Sequence, residues 1–438
     1  MFSIMDRAIN LGKKYDAAEA FIIKTVTNAV YIDGSKVSNV ETKTDMGVSF
    51  RIYTDGKVGK ASVTLNSDDD VDSCAKMAEE VARYSPATKD FKGYPMPEVK
   101  RVSPKGMWDD KIENITPEEL TYIAQSVIDF CDTDIPRGLL RVSTVISDVA
   151  NTNGLNTEHA GTTLYGHFTS MARKEHPGEG VETLFGTSLN VDPETLGESL
   201  TKKANAAAGA KAFKGKKNLT MILPPSELGD MILSSAGSAL NGENVMYGRS
   251  LWKDKMGERV ASDSISLTDD PESPAPLCSA FDDEGTPATR KVLVEDGILK
   301  SFLRDSFVGD STGNGLRRST VESQGIYENP VSIKPMNLVL KPGRYSQEDM
   351  IASTKNGIYV EKFAWPEADS LTGRFGLEVR SGYIIKDGKT VETINNALLM
   401  GNMITALENV EMIGNDSINM GPVTIPTVSF SGMELIGN

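Results

Sequence analysis

The sequence predicts an α+β protein of two domains: residues 1–212 as an α/β domain of mixed strands and helices, and residues 213–438 as a β-rich domain. Three observations carry this. The chain has 438 residues, and at roughly 150 residues per domain that means two or three domains. The short, basic, glycine-containing stretch Lys211–Asn218 (KAFKGKKN) reads as a boundary. Beyond it, short apolar runs alternate with turn signals, the pattern of a β-rich domain.

The first domain opens with a helix over residues 3–14, with Ile4, Ala8, Ile9 and Leu11 near one face. Ala20–Ile23 and Ala29–Ile32 read as strands, and Asp33-Gly34 and Asp55-Gly56 as hairpin turns. Gly47–Tyr53 (GVSFRIY) alternates apolar and polar, as a half-buried strand does. Asp68–Tyr84 is an amphipathic helix with acids at its positive end. Thr116-Pro117-Glu118-Glu119 marks another helix start, with Thr116 as cap and Glu119 completing a capping box. That helix runs to about Cys131. Strands follow near Leu139–Asp148 and Thr162–Met171, joined by a turn at Asn151–Gly154, and Pro193–Gly209 forms a further helix.

In the second domain, Leu219–Leu223 reads as a strand and Ser226–Leu240 as a helix. Turn signals recur at Asp283-Glu284-Gly285, Glu295-Asp296-Gly297, Asn356-Gly357, Lys386-Asp387-Gly388 and Asn415-Asp416. A helix is expected over Thr393–Val410.

Composition narrows the function. The formal net charge is -15, which disfavours nucleic acid and anionic membranes as partners because both require basic patches. Hydrophobic residues make up 39% and charged residues 24%, ordinary for a chain with a real core. No apolar run is long enough to span a membrane. The start MFSIMDRAINLGKKYD lacks a signal-peptide pattern, so a cytoplasmic protein is expected. Cys74, Cys131 and Cys278 are widely separated and odd in number, which reads as buried free thiols rather than a disulfide or metal framework.

Candidate chemistry is sparse. The three histidines are His159, His167 and His176. His159 and His167 would share a strand face about 26 Å apart, too far to share a metal. The acidic clusters Asp269-Asp270-Pro271 and Asp282-Asp283-Glu284-Gly285 could bind a divalent ion, but each ends in a turn residue, so a hydrogen-bonding role is the leading reading. Ser234 and Ser235 (SSAGS) lack a nucleophile elbow. Gly309–Gly315 (GDSTGNG) lacks a phosphate-binding lysine and reads as a flexible surface loop.

Longer motifs carry a resemblance. They are Gly248–Pro271 (GRSLWKDKMGERVASDSISLTDDP), Phe281–Asp305 (FDDEGTPATRKVLVEDGILKSFLRD), Leu371–Asn402, Leu407–Asp416 with Pro422–Gly432, and Asn151–Leu155 (NTNGL) in the first domain. Together these resemble the TldD/PmbA family, also called modulators of DNA gyrase or peptide-maturation proteins. The resemblance implies a two-domain dimer enclosing a cavity. It also implies a catalytic branch of metallopeptidases whose helix reads HExxGH, with a cysteine near the C-terminus; His and Cys hold zinc and Glu acts as base.

Here the matching helix places Leu233 and Ser238 at the two histidine positions and Ser234 at the glutamate, keeping Gly237, Leu240 and Gly242. Ile413–Val423 (IGNDSINMGPV) has no cysteine. Leucine offers no lone pair, and neutral hydroxyls are poor zinc ligands. The resemblance is therefore to the PmbA branch, also called TldE. It implies a non-catalytic subunit without its own cofactor, pairing with a zinc-bearing TldD-like subunit or with itself and holding an unfolded peptide. Two alternatives stay open: an autonomous metallopeptidase using Asp282, Asp283 or Glu284, and a regulatory binding protein without proteolysis.

Overall fold

The protein is described by a computed structural model covering residues 2–88, 91, 93–97, 104–322 and 324–437. Its N-terminal part is one six-stranded antiparallel sheet. The strands are β1 (Ala17–Asp33), β2 (Lys36–Thr54), β3 (Lys57–Thr64), β4 (Asp134–Asn151), β5 (Asn156–Ala172) and β6 (Gly178–Gly186), in the order β3-β2-β1-β4-β5-β6. Both expected hairpins form. Gly34 and Gly56 take φ of 57° and 73° at their tips, a region glycine enters without steric penalty. The two runs expected as separate strands in residues 20–32 form a single one. β1 pairs with β2 on one side and β4 on the other along nearly its whole length, which keeps the polar stretch between the runs extended.

Five helices accompany this sheet: α1 (Phe2–Gly12), α2 (Asp69–Tyr84), α3 (Asp110–Asn114), α4 (Pro117–Asp129) and α5 (Pro193–Ala207). The α4 start is the expected capping box, with Thr116 Oγ1 accepting from Glu119 N and Glu119 Oε2 accepting from Thr116 N. One face of the sheet packs Ala18, Ala20, Ile22, Val48, Phe50 and Ile52 against α1 and α2.

The other face of β1 and β2 is not solvated. Phe21 and Ile23 pack on Ile326 and Tyr327, and Ser49 and Arg51 are buried. Gly47–Tyr53, expected to be half-buried, is therefore covered on both faces along most of its length. Gly47 shows how closely the C-terminal part approaches, because a Cβ there would lie 2.2 Å from the Tyr327 ring.

The C-terminal part begins with β7 (Lys211–Ala212) and β8 (Gly215–Leu223). Its larger sheet runs Asn356–Phe363, β8, Val428–Gly437, Ala397–Asn402, Arg374–Lys386, Lys389–Asn395, β7. Asn356–Phe363 also pairs with Arg374–Lys386, so the strand path closes on itself. A second sheet of six short strands lies beside it. The expected helix at Ser226–Leu240 forms as α6 (Pro225–Ile232), a π-helical turn over Leu233–Gly237 and a last helical turn over Ser238–Leu240. Leu228, Met231, Ile232, Ala236 and Leu240 of this segment lie in the main core.

Three expectations fail here. Thr393–Val410 is not one helix but the end of a strand, the strand Ala397–Asn402, the short helix Met403–Glu408 and the start of another strand. Residues 397–400 alternate buried and exposed, and pairing to two neighbours overrides the helix preference of Leu and Met. Asn356-Gly357 opens a strand instead of turning. Cys131 is only partly buried, while Cys74 and Cys278 are buried.

Burial pushes the Cys74 and Cys278 thiols up to about 12. An alkylating reagent at pH 8 is therefore expected to label Cys131 alone in the native protein and all three thiols after denaturation. Mass spectrometry of labelled peptides reads this directly. Native labelling of Cys74 or Cys278 at the rate of Cys131 contradicts the packing described.

Candidate functional site

The acidic clusters are structural. Asp269 is fully buried; it accepts from Met336 N, Asn337 N and Asn314 Nδ2 and pairs with Lys291. Of Asp282, Asp283 and Glu284, it is Glu284 that reaches the N-terminal part. Glu284 Oε1 is 2.7 Å from Arg51 of β2, and Arg51 in turn forks onto Glu19 of β1 at 3.1 and 2.6 Å. Arg317 Nη2 donates to Glu19 Oε1 at 2.7 Å, and Arg318 Nε donates to Asp283 Oδ1 at 2.7 Å. Asp282 accepts from three backbone N–H groups, those of Glu284, Thr286 and Gly315. The carboxylates weighed as metal ligands are thus engaged by arginines and amides. The flanking Gly309–Gly315 is no free surface loop either. Gly313–Gly315 are buried, and a Cβ on Gly315 would sit 2.7 Å from Glu284.

Burial and the charge on Glu284 raise the Asp305 carboxyl to about 6. Its folded value lies above the ordinary aspartate range, so its ionised form opposes folding above about pH 6, and that opposition fades as pH falls toward 4. Asp305→Asn is expected to gain stability over wild type at pH 7 and to lose that advantage by pH 4. Urea midpoints at the two pH values check this, and an equal difference at both contradicts it.

A cleft of about 970 Å³ opens between β5 and β6 on one side and the α6 segment on the other. Tyr165, His167 and Thr169 of β5 and Val181, Thr183 and Phe185 of β6 form one wall. The facing wall carries Asp230, Leu233, Ser234, Gly237, Ser238 and Asn241. The four motif positions, the substituted Leu233, Ser234 and Ser238 and the retained Gly237, therefore face one cavity, and the π-helical turn sits there too. Such turns recur at functional sites. Met420 and Pro422, from the segment that lacks the cysteine, line the same cleft. A Cβ on Gly229 of α6 would lie 3.2 Å from Val423 Cγ2, so the two motif segments meet.

The donors present do not suit zinc. Ser234 Oγ donates to Met231 O and accepts from Ala368 N. Ser238 Oγ accepts from Asn244 Nδ2 at 3.0 Å. Both hydroxyls are neutral and already engaged, and Leu233 packs against the core. Among the described residues no group of three His, Cys, Asp or Glu side chains is arranged to hold a metal ion. Of the two carboxylates of α6, Asp230 lines the cleft, while Glu227 is buried and binds Lys362 Nζ and Phe363 N, locking the helix to its neighbouring strand.

Sequence reasoning set His167 aside as too far from His159 to share a metal and missed its place in the cleft. It lines the cleft, with Nδ1 3.0 Å from Thr183 Oγ1, and burial followed by the nearby Lys362 lowers its pKa, leaving it neutral at pH 7. One imidazole is not a metal site. His159 contacts Ser279 Oγ at 3.1 Å, and His176 is exposed. Arg318, Lys334 and Lys362 also reach the cleft, and no sequence motif marked them.

The model of the PmbA/TldA metallopeptidase C-terminal domain matches residues 216–437, and that of PmbA/TldA metallopeptidase domain 1 matches residues 18–82. The chain belongs to the PmbA/TldD family. Its similarity to an uncharacterized protein of Methanocaldococcus jannaschii is 26% identity, covering 98% of this chain and 99% of the relative. A protein of Buchnera aphidicola named metalloprotease PmbA homolog is 23% identical over 100% of this chain and 97% of its own. In fold the PmbA/TldD chain is similar to TldE from Thermococcus kodakarensis, with a TM-score of 0.88, 22% identity and coverage of 99% and 100%. No helix among the described residues is long and apolar enough to cross a membrane.

Proposed function

We propose that this chain is a PmbA/TldE-like subunit of a metallopeptidase complex acting on unfolded peptides. It forms a chamber wall and binds peptide without carrying out hydrolysis itself. One observation supports this above the others: the helix that resembles the catalytic helix of the family faces a peptide-sized cleft, yet presents a hydrocarbon and two engaged hydroxyls. The cleft mixes aromatic and apolar groups such as Tyr165, Phe185, Leu233 and Trp365 with many polar ones, so it can take both the side chains and the backbone of an extended peptide. The division near residues 212 and 213, a cytoplasmic location, dimerisation and a zinc-bearing TldD-like partner belong to this reading.

The test is reconstitution. Mixing the chain with an HExxGH-bearing relative from the same organism is expected to give chelator-sensitive cleavage of an unfolded peptide above that of either protein alone. Chelator-sensitive cleavage by this chain alone contradicts the proposal. So does tight pairing with the relative that adds no activity.

A further inference from the structure

We infer that Trp365 is a platform in the cleft for a lysine or arginine side chain of the bound peptide, with Glu367 and Asp230 taking up its charge. This rests on the peptide-binding reading of the cleft and names the side chain the peptide presents there.

The ring is both exposed and fixed. Trp365 lines the cleft and is 71% exposed, whereas Trp252 is buried. Its Nε1 donates to Glu367 Oε2 at 2.7 Å. The loop that carries it is tied down along its length. Ala364 N donates to Glu378 O, Ala368 N to Ser234 Oγ and Asp369 N to Arg374 O. An indole held in solvent by an ordered loop is a preformed contact surface, and tryptophan is enriched among residues that dominate binding energy.

The same loop stands beside the α6 segment. Ser234, which takes the Ala368 bond at 3.1 Å, lies one helical turn after Asp230, and both line the cleft. Residues at that spacing share a helix face. Glu367 is accordingly close enough for its charge to act on the Asp230 carboxyl. Asp230 is exposed, and its side chain makes no hydrogen bond or ion pair among the described residues. Lys362, which also acts on Asp230, is itself held by Glu227 Oε1 at 3.0 Å.

Charge complementarity selects the occupant. The cations that line the cleft are already answered: Arg318 pairs with Asp283, Lys362 with Glu227 and Arg380 with Glu378. Lys334 lies in the fields of Asp283 and Glu322. Asp230 and Glu367 line the cleft without an ion pair among the described residues. The unmatched charge beside the indole is therefore negative. A cation over an indole face is attracted by the ring quadrupole, and a carboxylate within reach adds a charge-assisted hydrogen bond.

The test uses an unstructured peptide, acetylated and amidated, carrying a neutral fluorophore and one variable residue: lysine, norleucine, arginine, citrulline or phenylalanine. Anisotropy titrations are run with the full chain and with its reconstituted complex. Lysine is expected to bind at least about ten-fold tighter than norleucine, and arginine than citrulline. The lysine peptide is also expected to change the tryptophan emission, and Trp365→Phe to abolish that change. Trp365→Leu, Glu367→Gln and Asp230→Asn are each expected to cut the lysine preference at least about three-fold, with thermal melts confirming that the variants fold. Equal binding of all the peptides, unaltered by Trp365→Leu, overturns the platform while peptide binding stands. Tightest binding of the phenylalanine peptide, lost in Trp365→Leu and kept in Glu367→Gln, overturns the choice of a cation. If no peptide binds in either preparation, the platform and the cleft reading both fall.

Discussion

Glu19→Ala is expected to destabilise the protein by about 3–5 kcal/mol, because it leaves two buried arginines without their shared carboxylate. Glu19 is fully buried and its carboxylate contacts Arg51 at 2.6 Å and Arg317 at 2.7 Å. These arginines hold its pKa down against its own desolvation. Arg51 keeps Glu284, but Arg317 loses its carboxylate partner and cannot deprotonate to escape that state. Against a typical stability of about 5–15 kcal/mol, the loss is large. The pairs span β1, β2 and the C-terminal part, so the loss falls on the junction that shapes the cleft. Urea unfolding of Glu19→Ala, Arg317→Met and the double variant measures the effect and its coupling. The double variant is expected to lose less than the sum of the singles, because it removes both the orphaned charge and one of its causes. Strict additivity contradicts the network. The sign with pH follows from the lowered carboxylate: Glu19 supports folding above the ordinary glutamate range, and that support is lost as pH falls through its depressed folded value.

Gly237→Phe is expected to separate binding from stability. Gly237 has helical backbone angles and faces the cleft, where an added Cβ meets Leu233 Cδ1 at an ordinary 3.4 Å. Removing a helical glycine stabilises by roughly 0.5–1 kcal/mol through the unfolded state. The ring projects into the space between α6 and β6 and occupies the middle of the cleft. Peptide affinity and the activity of the reconstituted complex are therefore expected to fall more than ten-fold, roughly the loss of one good contact patch, while the melting temperature holds or rises. Unchanged peptide affinity with the ring in place contradicts the assignment of this cleft.

Much of the fold could be read before the structure. Local chemistry that acts over a few residues was legible: the Thr116–Glu119 box, the Asp-Gly hairpins and the acidic start of α2. Failures came where distant chain sets the environment. Arg51 looked like the solvent face of a half-buried strand, but it is buried because Glu284 and Arg317 arrive from more than two hundred residues away. Thr393–Val410 has helical composition, yet its neighbours in the sheet decide otherwise. The degenerate helix was legible by resemblance; its partners in the cleft were not. His167, Arg318 and Lys334 sit on separate strands or loops, and only tertiary packing brings them together.

The central claim is chemical: the α6 segment cannot hold a catalytic metal. Its most direct test is metal analysis of the purified full-length chain after incubation with zinc and removal of loosely bound ions, with the HExxGH-bearing relative treated alongside. The expected result is one zinc per chain in the relative and none in this protein. One tightly held zinc per chain here, lost when Ser234 and Ser238 are replaced by alanine, would contradict the account.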